Sequence, residues 1–154
     1  MRAWPPLGLM RRFEISAAPG LFGDGMMVQS LNDNNLLRGV RVLVVEDDVL
    51  LAMDLRETLA DAGAIVVDVC QTLNEGMARA NVEDFAIAVL DFSLGSETVS
   101  PLARRLVRRG LPFILYTGKS RSEPSLAEWS DQQIVKKPAP IPVLLSALRD
   151  ALSH

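Results

Sequence analysis

Apolar residues gather into short runs separated by polar, breaker-rich stretches from Val40 onward, whereas the preceding part of the chain shows no such order. Between Met1 and Leu37 stand Pro5-Pro6, Pro19-Gly20, Gly23, Gly25 and Asn34-Asn35, a punctuation so frequent that no periodic element can run far. Residues 1–38 are therefore expected to be a disordered extension and residues 39–154 the folded domain. Within that domain Arg41 to Val45, Ile65 to Cys70, Phe85 to Leu90, Phe113 to Tyr116 and Ile134-Val135 read as strands. The unbroken apolar run from Phe85 to Leu90 is that of a strand covered on both faces. Helical spacing falls between the strands. Leu51, Leu55, Leu59 and Ala62 recur on one stripe that Gly63 ends, and Leu73 to Ala80 suits a short second helix. Pro101 and Gly110 bracket a third with Leu102 and Leu106 inward, Pro124 to Trp129 a weakly periodic fourth, and Leu144, Leu148 and Ala151 mark a fifth.

Five strand-helix units with right-handed crossovers predict an α/β fold, a three-layer, doubly wound, five-stranded parallel sheet of the flavodoxin type with strand order 2-1-3-4-5. In such sheets ligands sit beyond the carboxyl ends of the strands. Glu46-Asp47-Asp48, Asp91, Thr117-Gly118 and Lys137-Pro138 all stand there, so the topology gathers them at one edge. Clustered carboxylates can hold a hard cation, a free carboxylate can attack phosphorus, a hydroxyl can bind a phosphoryl oxygen and an ammonium can neutralise its charge. No GxGxxG or GxxxxGK[ST] stretch follows the first strand, which removes support for dinucleotide or nucleoside-triphosphate sites.

Composition narrows the classes further. At 154 residues, 49% of them apolar, the chain can bury one core and little more. A net charge of -3 leaves no excess of Lys and Arg to displace counterions, so direct DNA binding is not expected. The apolar piece Leu7 to Met10 is too short for a signal-peptide core, and no eighteen-residue apolar span occurs, so the expectation is a cytoplasmic protein with no membrane partner. Cys70 is the only cysteine and reads as a small buried thiol. His154, the one histidine, is the last residue of the sequence, which excludes Ser-His and Cys-His catalysis; a phosphoryl donor would have to be another molecule.

The four-part set, in this order, resembles the receiver domain of bacterial response regulators, of the CheY-like superfamily, over about Val40 to Leu152. The resemblance implies that Asp91 is the phosphoacceptor, that Asp47 binds Mg2+ directly and Glu46 through a water, and that Ser93 lends its backbone carbonyl to the metal. It further implies Thr117 as the switch hydroxyl and Lys137 as the lysine that binds first the acceptor carboxylate and then the phosphoryl group. Lys136 is the rival lysine, but the one adjacent to Pro138 fits better, and that bond is commonly cis in the family. The family's usual aromatic three residues before the lysine is replaced by Ile134. With Pro112-Phe113 through Thr117-Gly118 and Leu94-Gly95-Ser96-Glu97, this is similar to the alphaproteobacterial receivers nicknamed FATGUY. Leu115-Tyr116, Lys119 and Ala139 depart from that pattern, and the departures bear on output, not on the acceptor.

An isolated Asp at a strand end is usually a cap or a turn former, and Asp48 keeps that reading as the cap of the first helix. Arg104, Arg105, Arg108 and Arg109 are read as a solvated helix face before a docking patch. The expected function is that of a stand-alone receiver in a two-component phosphorelay. It would not be an enzyme in the ordinary sense: it would take phosphate onto itself from a sensor histidine kinase or phosphotransfer protein, with possible slow self-dephosphorylation, and signal to a downstream protein or pass the group on. Two rivals are a pseudo-receiver that serves as an interaction module, which the complete acidic set opposes, and a haloacid-dehalogenase-like phosphatase. The latter wants a second Asp two residues after its nucleophile, where Ser93 stands.

Overall fold

Alternation along the strands decides the layers. In a computed structural model, which describes residues 35–82 and 84–154, Val42, Val44, Ile87, Val89 and Ile114 pack to one side of the sheet, and Leu43, Val45, Ala88, Leu90, Phe113 and Leu115 to the other. The strands β1 (Arg41–Val45), β2 (Ile65–Cys70) and β3 (Ile87–Leu90) begin the sheet. A short antiparallel pair, β4 (Ser93–Leu94) and β5 (Glu97–Thr98), stands apart, and β6 (Phe113–Thr117) and β7 (Gln133–Lys136) complete the sheet. The parallel order β2-β1-β3-β6-β7 is the 2-1-3-4-5 order expected for the five strands of the main sheet.

Helices α1 (Val49–Asp61) and α4 (Ile141–Leu152) cover the first face, with Leu55, Leu59, Leu144 and Leu148 buried against it. The second face carries α2 (Leu73–Ala80) and α3 (Ser100–Arg108), with Leu102 and Leu106 inaccessible to solvent. Each such aliphatic contributes about 1.5–3 kcal/mol by leaving water, and β3, covered on both faces, is apolar throughout.

Expectations for three of the elements change in the structure. The fourth helix is a 3₁₀ segment, Pro124–Trp129, closed by bonds of i to i+3 type such as Leu126 N–H to the Glu123 carbonyl at 2.9 Å. Its anchors Leu126 and Trp129 lie three residues apart and are both buried, a spacing that suits 3₁₀ geometry and explains the weak α-helical periodicity. In α1 the buried stripe is Ala52, Leu55 and Leu59, and Leu51 lies one position off it, 40% exposed. Phe85 is buried but precedes the third strand, which starts at Ile87.

The extension read over residues 1–38 lies outside the described residues as far as position 34. From Asn35 the chain turns onto the end of α1, against the expectation of disorder up to residue 38: Leu37 is fully buried, and its N–H donates to the Ala62 carbonyl at 2.9 Å. Gly63 makes that junction possible. Its φ is +93°, and a Cβ there would stand 2.9 Å from the Arg38 Cα. Among the described residues no helix is long and apolar enough to cross a membrane.

Gly63→Ala should therefore lower the unfolding free energy by about 1–3 kcal/mol, through a left-handed backbone strain and a backbone clash at once. Urea denaturation of the two proteins measures it; equal midpoints would mean that the segment at 35–39 does not dock in this way.

Candidate functional site

Parallel ladders continue for one residue beyond the strand ends, and this places the polar side chains. The Glu46 N–H donates to the Cys70 carbonyl at 2.9 Å, the Asp91 N–H to the Val45 carbonyl at 2.8 Å, and the Lys137 N–H to the Thr117 carbonyl at 2.8 Å. The backbones of Glu46, Asp91 and Lys137 are thus held by neighbouring strands before their side chains make any contact. Glu46 and Thr117 are almost wholly buried, Asp91 is nearly so, and Asp47 is exposed at the rim.

Lys137 is the hub. Its Nζ lies 2.5 Å from Glu46 Oε2 and 3.2 Å from Asp91 Oδ2, and the Lys137-Pro138 bond that precedes the turn is cis. Lys136 faces elsewhere and donates to the Gly118 carbonyl at 3.0 Å, so of the two lysines Lys137 is the one that stands among the carboxylates. The other carboxylate oxygens take backbone donors: Glu46 Oε1 accepts from Asp48 N–H at 3.2 Å, and Asp91 Oδ1 from Ser93 N–H at 3.3 Å. Thr117 Oγ1 accepts from Lys119 N–H at 3.2 Å. Asp48 itself caps α1, accepting from the Leu50 and Leu51 N–H groups at 3.0 and 3.1 Å.

One oxygen each from Glu46, Asp47 and Asp91 fall within 4.8 Å of one another. Three carboxylates against one ammonium leave an excess of negative charge, and the donors are oxygens alone, a set suited to a hard divalent cation such as Mg2+. Burial pushes the Glu46 carboxyl up to about 7, against the lowering effect of Lys137 and of the Asp48 N–H and with help from Asp91. For Lys137 burial alone would act downward, but the Glu46 hydrogen bond and the Asp91 charge outweigh it and hold the ammonium above its usual value. Ser93 enters the site through its N–H, two residues after Asp91.

Two features escaped sequence reading. The β4–β5 hairpin turns at Gly95-Ser96, with φ +64° at Gly95 alone, as in a type II′ turn, and the Gly95 N–H donates to Asp47 Oδ2 at 2.9 Å. The two-residue Gly-Ser link was the available signal. The second is Tyr116, whose ring centroid lies 5.5 Å from Lys137 Nζ. Outside the site, Cys70 is buried as expected, and that burial, with Asp68 and Glu75 nearby, pushes its thiol up to about 11. Of the four arginines, Arg104 makes an exposed pair with Glu128 at 2.7 Å, and Arg109, just after α3, donates to the Ala80 carbonyl.

No family model matches the chain, and no curated protein matches it. Solved structures do. SdrG from Sphingomonas melonis Fr1 is 30% identical, with 75% of this chain and 98% of that one covered and a TM-score of 0.66. The non-phosphorylated HemR receiver domain from Leptospira biflexa is 26% identical over 75% of this chain and 95% of that one, with a TM-score of 0.63. The response regulator TrrA from Thermotoga maritima, solved in complex with Mg(2+)-BeF, is 20% identical over 73% and 98%, with a TM-score of 0.65, a likeness of fold.

The raised Glu46 carboxyl gives a pH dependence. Glu46 ionises near 4.5 when unfolded and near 7 when folded, so its favourable contribution to folding is complete below about pH 4.5 and is lost as pH rises through about 7. Without divalent cations, Glu46→Gln should flatten the fall in stability between pH 5 and 8, a slope of at most about 1.4 kcal/mol per pH unit. Parallel slopes in urea titrations of the two proteins would show that burial does not govern this carboxyl.

Proposed function

The chain belongs to the response regulator receiver family, the CheY-like domains, and from that premise we propose that it accepts a phosphoryl group on Asp91 from a sensor histidine kinase or a phosphotransfer protein in the cytoplasm. The observation that carries this reading is the double contact of Lys137 with Glu46 and Asp91 at the shared edge of three strands. A carboxylate is a poor nucleophile, so positioning and charge have to do most of the work.

Asp91 presents a carboxylate whose Oδ1 is fixed by Ser93 N–H and whose Oδ2 meets Lys137. An Asp91 oxygen forms the new bond to phosphorus as the bond to the donor's leaving group breaks, and the electron pair of that bond departs with the donor. Lys137 then turns an N–H from Asp91 towards a phosphoryl oxygen while keeping Glu46 as its second partner. Thr117, at the end of the adjoining strand, offers its hydroxyl to another phosphoryl oxygen. Glu46, Asp47 and Asp91, with the Ser93 carbonyl, would hold Mg2+, which when bound supplies the remaining positive charge. Slow hydrolysis of the acyl phosphate would reset the site. The charged state is read by a downstream protein, or the group is passed on.

Two outcomes check this. Incubated with Mg2+ and acetyl phosphate or a phosphorylated kinase, the protein should take up label on Asp91, and Asp91→Asn should lose it; unchanged labelling of that variant would sink the assignment. In Mg2+ titrations followed by NMR, Asp47→Asn should weaken binding about 100-fold and Glu46→Gln about tenfold, as a direct ligand and one acting through water should differ. Negligible losses in both variants would count against this metal site.

A further inference from the structure

Tyr116, the only tyrosine of the chain, stands on β6 immediately before Thr117 and is half-buried. Successive strand residues point to opposite faces, and the Tyr116 ring lies on the side of α1 and α4, packed against the same core as Ala139. From there its centroid is 5.5 Å from Lys137 Nζ. The ammonium has three N–H donors. Two meet Glu46 and Asp91 at 2.5 and 3.2 Å, and the ring is its further neighbour in a place where the lysine side chain keeps only 15% of its exposure.

We propose that Tyr116 is a positioning residue for Lys137, holding the ammonium at the acceptor by a cation–π contact while its N–H bonds are exchanged. The inference rests on the reading of Asp91 as phosphoryl acceptor. A ring suits the task better than a further acid. The edge already gathers three carboxylates, and a fourth would add repulsion that one ammonium cannot offset. The attraction of a ring face depends on the distance of the cation, not on the direction of any one N–H, so it persists as Lys137 turns an N–H from Asp91 to a phosphoryl oxygen. A desolvated contact is also stronger than an exposed one, and Lys137 is mostly shielded.

The test uses the full chain and fluorination, which drains the ring face of electron density with little change in shape. Beryllofluoride with Mg2+ serves as the phosphoryl mimic. Tyr116→Phe should bind it within about twofold of the unchanged protein. Mono-, di- and trifluorinated phenylalanine at the same position should weaken binding stepwise, to about three- to tenfold in all. A flat series, with the mimic still bound, would overturn the proposal and leave the Asp91 reading standing. No binding by the unchanged protein would overturn both. A second readout needs neither metal nor mimic: the ε-methylene protons of Lys137 should be shifted upfield by the ring current in the unchanged protein and in Tyr116→Phe, and should return to ordinary values in Tyr116→Leu. Ordinary values in the unchanged protein would overturn the contact itself.

Discussion

A single ammonium, that of Lys137, stands between two carboxylates that the fold has taken out of water. Breaking a buried pair by removing one partner costs several kcal/mol, because the remaining charge has neither water nor a counter-ion. Glu46 shows the tension: even with Lys137 at 2.5 Å, burial drives its carboxyl up to about 7. The site is therefore under-neutralised as it stands, and its chemistry follows from that deficit. A hard dication and a transferring phosphoryl group are what such an edge is suited to receive, the first for its charge and the second because Lys137 can be shared with it.

The sheet exists to keep this arrangement fixed. Five parallel strands with apolar residues on both faces place their carboxyl ends in a row, and the ladder bonds that run one residue past β1, β3 and β7 pin Glu46, Asp91 and Lys137 by their backbones. Rigid strands fix those three, whereas Asp47, exposed at the rim, is held by the Gly95 N–H of the β4–β5 hairpin. The position of the Asp47 carboxylate is thereby tied to a turn beyond Asp91. The loop after Thr117 is tied in turn to β7 by the Lys136 bond to the Gly118 carbonyl, so the two consecutive lysines serve different places, Lys137 at Asp91 and Lys136 at the loop.

Much of this was legible in the sequence because its causes are local. Arg41 to Val45 and Ile65 to Cys70 are rich in Val and Ile and are followed by polar residues, and they form strands with those bounds. That Glu46, Asp91, Thr117 and Lys137 gather at one edge could be read because they sit where such runs stop, and the neighbour Pro138 singled out Lys137 from Lys136. What was missed depends on contacts between distant segments. Two-residue strands carry no periodicity, so the β4–β5 hairpin left only the Gly-Ser link as a trace. Leu37 lies beside a stretch rich in breakers, and its burial comes from docking on Ala62 and Gly63. The Tyr116 contact needs the β6–β7 pairing and the turn at Pro138 together, and no spacing along the chain announces it.

If four strand ends act as one phosphoryl site, amide hydrogen exchange with and without Mg2+ and beryllofluoride will register them together. One ligand bridging Asp91, Thr117 and Lys137, with its metal on Glu46 and Asp47, should slow exchange together at residues 46–48, 91–95, 117–119 and 137. Slowing confined to the acidic residues, with no change at Thr117 and Lys137, would contradict it: the edge would then be a cation site and no more.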